Sequence, residues 1–301
     1  MNPSPTPPVL TGGDTLVIKT FLNSPDEVAA YIVSMLDQHF AAGRVLRGSA
    51  DAASRSLLVH QDAPLYADGE PEATAPGSRY AQVGTAEGTA KLYAVVKWAF
   101  ETLITDEQID VYKADAVDRA VVLLANSLSR KANEIAWQAI VDEVTTDFAG
   151  TVTAWDSATT AQHILRPIAQ AKAALANLGR GYNPDVLLVT ESAAALLASD
   201  DKVAALLARE NGTAPIYSGS IGVILDLEVV PVLDSELPAS RAEDALVVDS
   251  ARVGGLADAK PQTAKSIRKE EIDAWLLQAK REFVPYISDT RAGIWVPGIG
   301  A

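Results

Sequence analysis

A chain of 301 residues with 48% hydrophobic composition is long enough for one large or two ordinary domains and a sizeable core, which excludes a disordered protein. A formal charge of −14 without a basic tail argues against free nucleic acid as a direct ligand, because phosphate contact needs clustered Lys and Arg; a container whose wall repels packaged DNA is still allowed. The absence of cysteine excludes disulfides and thiolate metal sites, no apolar run is long enough to span a bilayer, and the proline-rich start lacks the basic-then-apolar order of a signal peptide.

In chain order, residues 1–24 read as an extended arm, with Pro3, Pro5, Pro7 and Pro8 disfavouring helix and Gly12-Gly13 adding a flexible joint. Ser24 with Pro25 predicts a helix start, and Val28, Ile32, Met35, Leu36 and Phe40 share one face up to Gly43. Such a helix either lies on another surface or is an ordinary core helix. A short strand is expected over 54–60. A stronger one covers 91–104, where Leu92, Ala94, Val96, Trp98 and Phe100 alternate with their neighbours. Between these strands, residues 61–89 carry seven Gly and Pro residues, with Tyr66 and Tyr80 as the only aromatics. A loop this long without a core of its own is usually functional or disordered. Two strands leading out to it and back predict a projecting hairpin that is mobile or packed on another molecule.

No Gly or Pro occurs from Thr89 to Ala149. Thr105 and Gln108 form a capping box, and from Ala114 the apolar residues Val117, Val121, Leu124, Leu128, Ala132, Ile135 and Ala139 fall at helical spacing. Residues 114–145 predict a rod of about 48 Å, against a mean globular helix of about 11–12 residues. A bundle helix would show the same pattern; the flanking strand-like segments argue against a coiled coil. After Gly150 come an Ala-rich helix over 161–178, a buried strand over 185–190, helices over 191–198 and 201–208, a loop over 209–220, and strands over 227–233, 245–249 and 253–257. This order predicts a compact α/β domain inserted behind the long helix. In the last stretch Ile272, Trp275, Leu276 and Ala279 fit a helix turn, whereas 283–287 and 293–296 fit strands.

No catalytic constellation accompanies these elements. His39, His60 and His163 lack metal-ligand spacing, and Gly179-Arg180-Gly181 and Gly254-Gly255 match no phosphate loop. There is no nucleophile elbow. The pairs Asp200-Asp201 and Glu270-Glu271 read as solvated surface. The expected catalytic, cofactor-binding and metal-binding residues are therefore none.

The order of parts resembles the major capsid proteins of tailed bacteriophages with the Hong Kong 97-type capsid fold. Trp98-Ala-Phe-Glu-Thr-Leu-Ile-Thr-Asp looks like the strand that returns from the extended loop into the spine helix, and residues 114–145 look like that helix. Gly181-Tyr-Asn-Pro-Asp-Val-Leu-Leu-Val-Thr is similar to the strand after the first axial-domain helix. Leu225-Asp-Leu-Glu-Val-Val-Pro-Val-Leu-Asp with Leu237-Pro238 resembles the G-x-P-V-x-x-S…P stretch, with Glu228 where a glycine often stands. Ala245-Leu-Val-Val-Asp-Ser and Gly255-Leu-Ala-Asp resemble the strands that follow.

The resemblance implies an α+β chain: an N-terminal arm (1–50), an extended β-hairpin loop (51–104), a peripheral domain with the spine helix (105–160 and 263–301) and an axial domain (161–262). It implies a structural, non-enzymatic shell subunit without cofactor, assembled in the host bacterial cytoplasm as pentamers and hexamers into an icosahedral virion capsid. The shell would enclose DNA without sequence-specific binding and would have no membrane contact. Its partners would be other copies of the chain, a separate scaffolding protein, a portal and, as an optional addition, a cement protein. Subunit contacts are expected through Tyr66, Asp68, Glu70, Arg79 and Tyr80 of the extended loop and through Arg209, Asn211 and Tyr217 of the axial loop. An encapsulin-type nanocompartment shell is the alternative; an enzyme with an α/β domain is a distant one.

The resemblance also frames how such a shell is held. One strategy of the family welds neighbours by a lysine–asparagine bond, with the lysine on the extended loop. No lysine lies between Gln61 and Ala90, and the loop instead carries Asp62, Asp68, Glu70, Glu72 and Glu87 against one base, Arg79. Exposed ion pairs contribute only about 0–1 kcal/mol each, so buried apolar area, at roughly 25 cal/mol per Å², must dominate a non-covalent shell. Particles boiled in detergent should run as a single band near the subunit mass of 31.7 kDa, and a surviving ladder of dimers, pentamers and hexamers would overturn this.

Overall fold

The computed structural model describes residues 15–38, 41–52, 54–64, 66, 69, 72–80, 82, 84, 87–156, 164–200, 203 and 222–300. Its frame is one helix, α4 (Ala114–Glu143), which at 30 residues is about 45 Å long. It follows α3 (Asp106–Tyr112), which opens on the expected capping box: Thr105 Oγ1 accepts from the Gln108 amide and Gln108 Oε1 from the Thr105 amide, both at 3.3 Å. Lys113, at φ 54°, breaks the two helices apart. The Arg268 guanidinium donates two hydrogen bonds to Asp106, at 2.7 and 2.9 Å, and holds its carboxyl below the usual carboxylate range.

The N-terminal half of α4 packs Val117, Val121, Leu124, Ala125 and Leu128 against α1 (Thr15–Leu22), α2 (Pro25–Gln38) and a first sheet. The start of α2 at Pro25 matches the sequence reading, and Val28 and Ile32 are buried. Phe40 and the side chains of Met35 and Leu36 lie outside the described residues. The extended arm expected over 1–24 is corrected for its second half. Ile18, Phe21 and Leu22 lie at helical spacing and are buried, so residues 15–22 form a helix, and the Phe21 and Tyr31 rings meet edge to face at 6.4 Å. The prolines that suggested extension all precede it. Ser266 Oγ donates to the Leu22 carbonyl at 2.5 Å, satisfying an end group of α1.

Among the described residues the first sheet has the order β1 (Gly48–Asp51), β9 (Gly254–Lys269), β10 (Ala274–Ile287), β4 (Val96–Thr105), antiparallel except for the β1–β9 pair. The helix turn read from Ile272, Trp275, Leu276 and Ala279 is therefore corrected: these residues are the turn and second strand of the β9–β10 hairpin. Trp275, Leu277 and Ala279 pack in the core beneath the helices. Leu276 faces the other way and is also buried, and this doubling of apolar faces mimicked a helical stripe. Gly254-Gly255, which matched no phosphate loop, lets three strands approach. A Cβ on Gly255 would lie 1.9 Å from the Gly48 carbonyl oxygen, and one on Gly254 2.1 Å from that of Tyr286.

The second sheet runs β11 (Gly293–Val296), β8 (Ala245–Val248), β5 (Val186–Thr190), β7 (Leu227–Val232), β6 (Val223–Ile224), with β5 and β7 parallel. One face is covered by α5 (Leu165–Ala176) and α6 (Glu191–Ser199). The other packs on the C-terminal half of α4, where Ala132, Ala136, Trp137 and Ile140 meet Val186, Leu188, Val230, Leu246 and Trp295. All of β5 is buried, as its continuous apolar run predicts. Trp295 Nε1 donates to the Val144 carbonyl at 2.7 Å and so pins the end of α4 to β11. Buried aromatics of this size remove roughly 150–250 Å² each from water, on the order of 5 kcal/mol apiece before entropy. The strand read over 253–257 forms part of β9 in the first sheet, while the tail strand β11 joins the second. The helix read over 201–208 lies outside the described residues except for Val203.

Candidate assembly interface

The hairpin read from the sequence is present as β2 (Ser56–Gln61) paired antiparallel with β3 (Thr89–Ala94). It does not project freely from its base. Leu57, Val59, Tyr93 and Val95 pack with Ala52, Ala257, Val284 and Tyr286 on the outer face of the first sheet, opposite the helices. Arg55 at the base pairs with Glu282 at 3.2 Å. The reverse face of the hairpin is open: Leu58 and Leu92 are directly paired across the strands and 59% and 67% exposed.

A polar clamp marks where the loop leaves the body. Buried Gln61 donates through Nε2 to Tyr93 Oη at 2.8 Å and to the Ile287 carbonyl at 2.9 Å. Lys91 pairs with Glu143, the last residue of α4. Burial lowers the Lys91 pKa most, but the hydrogen bonds and charge interactions with Glu143 and Tyr93 together outweigh it and the pKa rises; burial pushes the Tyr93 hydroxyl up. Asp62, at φ 55°, accepts from the Thr290 amide at 2.8 Å and from its hydroxyl at 2.9 Å, while its own amide donates to the Ser288 carbonyl at 3.0 Å. Gly88 closes the clamp on the other strand, since a Cβ there would lie 2.0 Å from the Gln61 carbonyl oxygen.

Beyond the clamp the described residues find no apolar cover from their own body. Tyr66 is 68% and Tyr80 83% exposed, and Arg79 with the rest of 72–80 is exposed. Asp68, Glu70, Arg209, Asn211 and Tyr217 lie outside the described residues. The sequence reading named the loop tip and missed its root: Gln61, Asp62, Lys91, Tyr93, Glu143 and Thr290. The available signal was Asp62 two residues before Pro64, a turn-forming pair, and the lone Gly88 at the return. It also missed a link between the two sheets' flanks. Arg44 and Arg47 both bind Glu228, at 3.0 Å and 2.7 Å, and Arg47 reaches Asp185 at 3.2 Å. Glu228 thus has a partner at the position where a glycine was expected. Among the described residues no cluster of His, Asp and Glu could hold a metal ion, and no helix is long and apolar enough to cross a membrane.

The family model described as phage capsid protein matches residues 88–296, over two thirds of the chain. The chain belongs to the phage capsid protein family. No curated protein matches it. Solved structures share its fold at low identity. A protein of Mycobacterium phage Che8 is 14% identical with a TM-score of 0.54, covering 82% of this chain and 86% of that one. The bacteriophage PhiM1 mature capsid is 12% identical with a TM-score of 0.55, covering 83% of each chain. A virus-like particle from Pyrococcus furiosus is 12% identical with a TM-score of 0.58, covering 91% of this chain and 99% of that one. The fold of this capsid protein is the Hong Kong 97-type α+β fold. Its function is structural: it is a major capsid protein, a virion component that builds a shell from copies of itself. The encapsulin-type alternative has no better support, because the Pyrococcus furiosus particle matches in fold as the phage structures do.

The clamp gives a testable outcome for this capsid protein. Asp62→Ala removes an acceptor of two hydrogen bonds and leaves a β-carbon residue at positive φ; hydrogen bonds to charged groups contribute about 1.5–3 kcal/mol each. Amide exchange in β2 and β3 should accelerate about tenfold or more, with exchange in α4 unchanged. Equal exchange in wild type and variant would show that the root is held elsewhere.

Proposed function

We propose that this capsid protein forms pentamers and hexamers that close into an icosahedral shell around phage DNA in the host bacterial cytoplasm, with the extended loop as its main contact between copies. The carrying observation is the loop itself, clamped at Gln61, Asp62 and Lys91 and exposed beyond, with Tyr66 and Tyr80 open to solvent. Tyr66, Asp68, Glu70, Arg79 and Tyr80 are the loop residues assigned to that contact. Its assembly partners are a scaffolding protein, a portal and, as an optional addition, a cement protein. The charge of −14 supports enclosure of DNA without sequence-specific binding.

In this reading the peripheral domain is α4 with the four-stranded sheet, and the axial domain is the five-stranded sheet with α5 and α6. The pairing of β9 from residue 254 in the four-stranded sheet and of residues 293–296 in the five-stranded one supports assigning these stretches to the peripheral and the axial domain respectively. The axial loop, with Arg209, Asn211 and Tyr217, then lines the ring axis, where a heterologous contact closes the ring.

Deleting residues 66–82 should leave a subunit that melts as the wild type does but forms no closed shells by negative-stain microscopy; normal shells would overturn the loop assignment. Trypsin should cut at Arg209 in free subunits and be excluded there in assembled shells. Equal cleavage in both would remove the axial-loop contact.

A further inference from the structure

Among the described residues the first and second sheets end on four edges, of which three are short or covered. β1 has four residues and β6 two. β11 is covered by residues 146–148: the Phe148 amide donates to the Trp295 carbonyl at 2.7 Å, and the Trp295 amide to the Thr146 carbonyl at 2.9 Å. The fourth edge, β4, is open. It runs for 10 residues with β10 on one side and, among the described residues, no strand on the other. Folded proteins usually blunt such an edge with a proline, a bulge or a short strand. β4 contains no Pro or Gly, and its register with β10 is unbroken, whereas the β9–β10 pair is bulged. Its apolar side chains are open too: Val96 is 49%, Phe100 48% and Leu103 44% exposed.

The strand is complementary to itself. Its register with β10 puts Trp98, Phe100 and Thr102 on the helix side, with Ala279 and Leu277, and Lys97, Ala99 and Glu101 on the outer side, with Lys280 and Gln278. Two copies set edge to edge and antiparallel, about a two-fold axis normal to the sheet, keep these faces matched. With Ala99 on the axis, Lys97 of each copy lies opposite Glu101 of the other, and Trp98 opposite Phe100. Lys97 forms no ion pair among the described residues, and Glu101 accepts from Gln278 Nε2 at 2.9 Å. Opposite charges and aromatic pairs directly across two strands are stabilising, and like charges there are destabilising. Moving the axis to Trp98 or Phe100 puts Lys97 opposite Ala99 or Leu103 and loses the charge pairs. Moving it to Lys97 or Glu101 sets like charges face to face. We infer that β4 of one copy pairs antiparallel with β4 of a second, with Ala99 at the two-fold axis, Lys97 on Glu101 and Trp98 on Phe100. The inference rests on the shell reading above and goes beyond it. Heterologous contacts close each ring on itself, so separate rings still need a joint, and a self-complementary edge supplies one at the two-fold axes between rings.

The chain has no cysteine, so a single introduced thiol reports the axis. Residues directly opposite in an antiparallel pair have Cα atoms about 4.5–5.5 Å apart, within disulfide reach. Shells of Ala99→Cys, oxidised and run on a gel without reductant, should give a dimer band. Lys97→Cys shells should give none, and Lys97→Cys/Glu101→Cys shells should give one. Ala99→Cys shells that stay monomeric overturn the inference, and so does a dimer from Lys97→Cys alone. The charge pair is tested separately. Lys97→Glu should keep the wild-type melting curve and lose shell yield about tenfold or more, read by sedimentation and negative-stain microscopy, and adding Glu101→Lys should restore at least half of it. Wild-type yield from Lys97→Glu, or a defect that Glu101→Lys does not restore, overturns the pairing. Should Lys97→Glu fail to fold, the Ala99→Cys result decides alone. If the wild-type chain closes no shells, the shell reading falls by itself; the free Ala99→Cys subunit is then oxidised instead, its dimer band keeping the β4 pairing and a monomer overturning it.

Discussion

Residues along α4 are shared between two hydrophobic cores, and most of the fold depends on that sharing. Val117 to Leu128 belong to the core beneath the first sheet, and Ala132 to Ile140 to the core beneath the second. A 30-residue helix has the length to do this without a break, because its peptide groups bond internally and each buried side chain adds transfer energy. The one buried amide on this surface, Asn133, accepts from the Ala42 backbone at 3.2 Å, so the N-terminal segment is tied to the same rod. Trp295 closes the far end through its bond to Val144. Loss of a large side chain from either stretch would damage one core while the rod still carries the other.

The polar links are distributed differently. Arg281–Asp258 is a two-pronged pair between β10 and β9, and Arg268–Asp106 ties β9 to the start of α3 in the same way; in both a fixed guanidinium plane sets geometry as well as energy. Arg44, Arg47, Asp185 and Glu228 are nearer solvent. Such pairs contribute about 0–1 kcal/mol each and act as registers between segments more than as glue. At the loop root, polar bonds replace apolar cover: Gln61, Asp62, Lys91 and Tyr93 fix the exit direction of a segment that buries little of its own surface. This division suits the proposed reading of the loop as a contact between copies, in which the body carries its own cores and the loop is covered by another copy.

Some polar side chains that are buried or half-buried here hold strand and helix ends. Buried Asp249 and half-buried Asp185, for example, accept from the backbone amides of Asn183 and Ser250 at the ends of β5 and β8, both at 2.8 Å.

The sequence by itself determined the local pieces whose signal is periodic or punctuated. The capping box at Thr105, the long helix after Ala114, the buried run of β5 and the hairpin around a Gly- and Pro-rich loop were all legible, because each is set by neighbours within a few residues. Tertiary structure alone decided which sheet each strand joins. Nothing local distinguishes β11 as a partner of β8 from β11 as a partner of β10, since both choices bury Ile294 and Trp295. It also decided that the 272–279 stretch is a strand, because β4 and β9 offer pairing on both edges and the helices bury one face. The clamp was illegible for a related reason. Asp62 and Thr290, or Lys91 and Glu143, meet across long sequence separations, and a side chain's partner at such distances exists only once the backbone has been folded around the long helix.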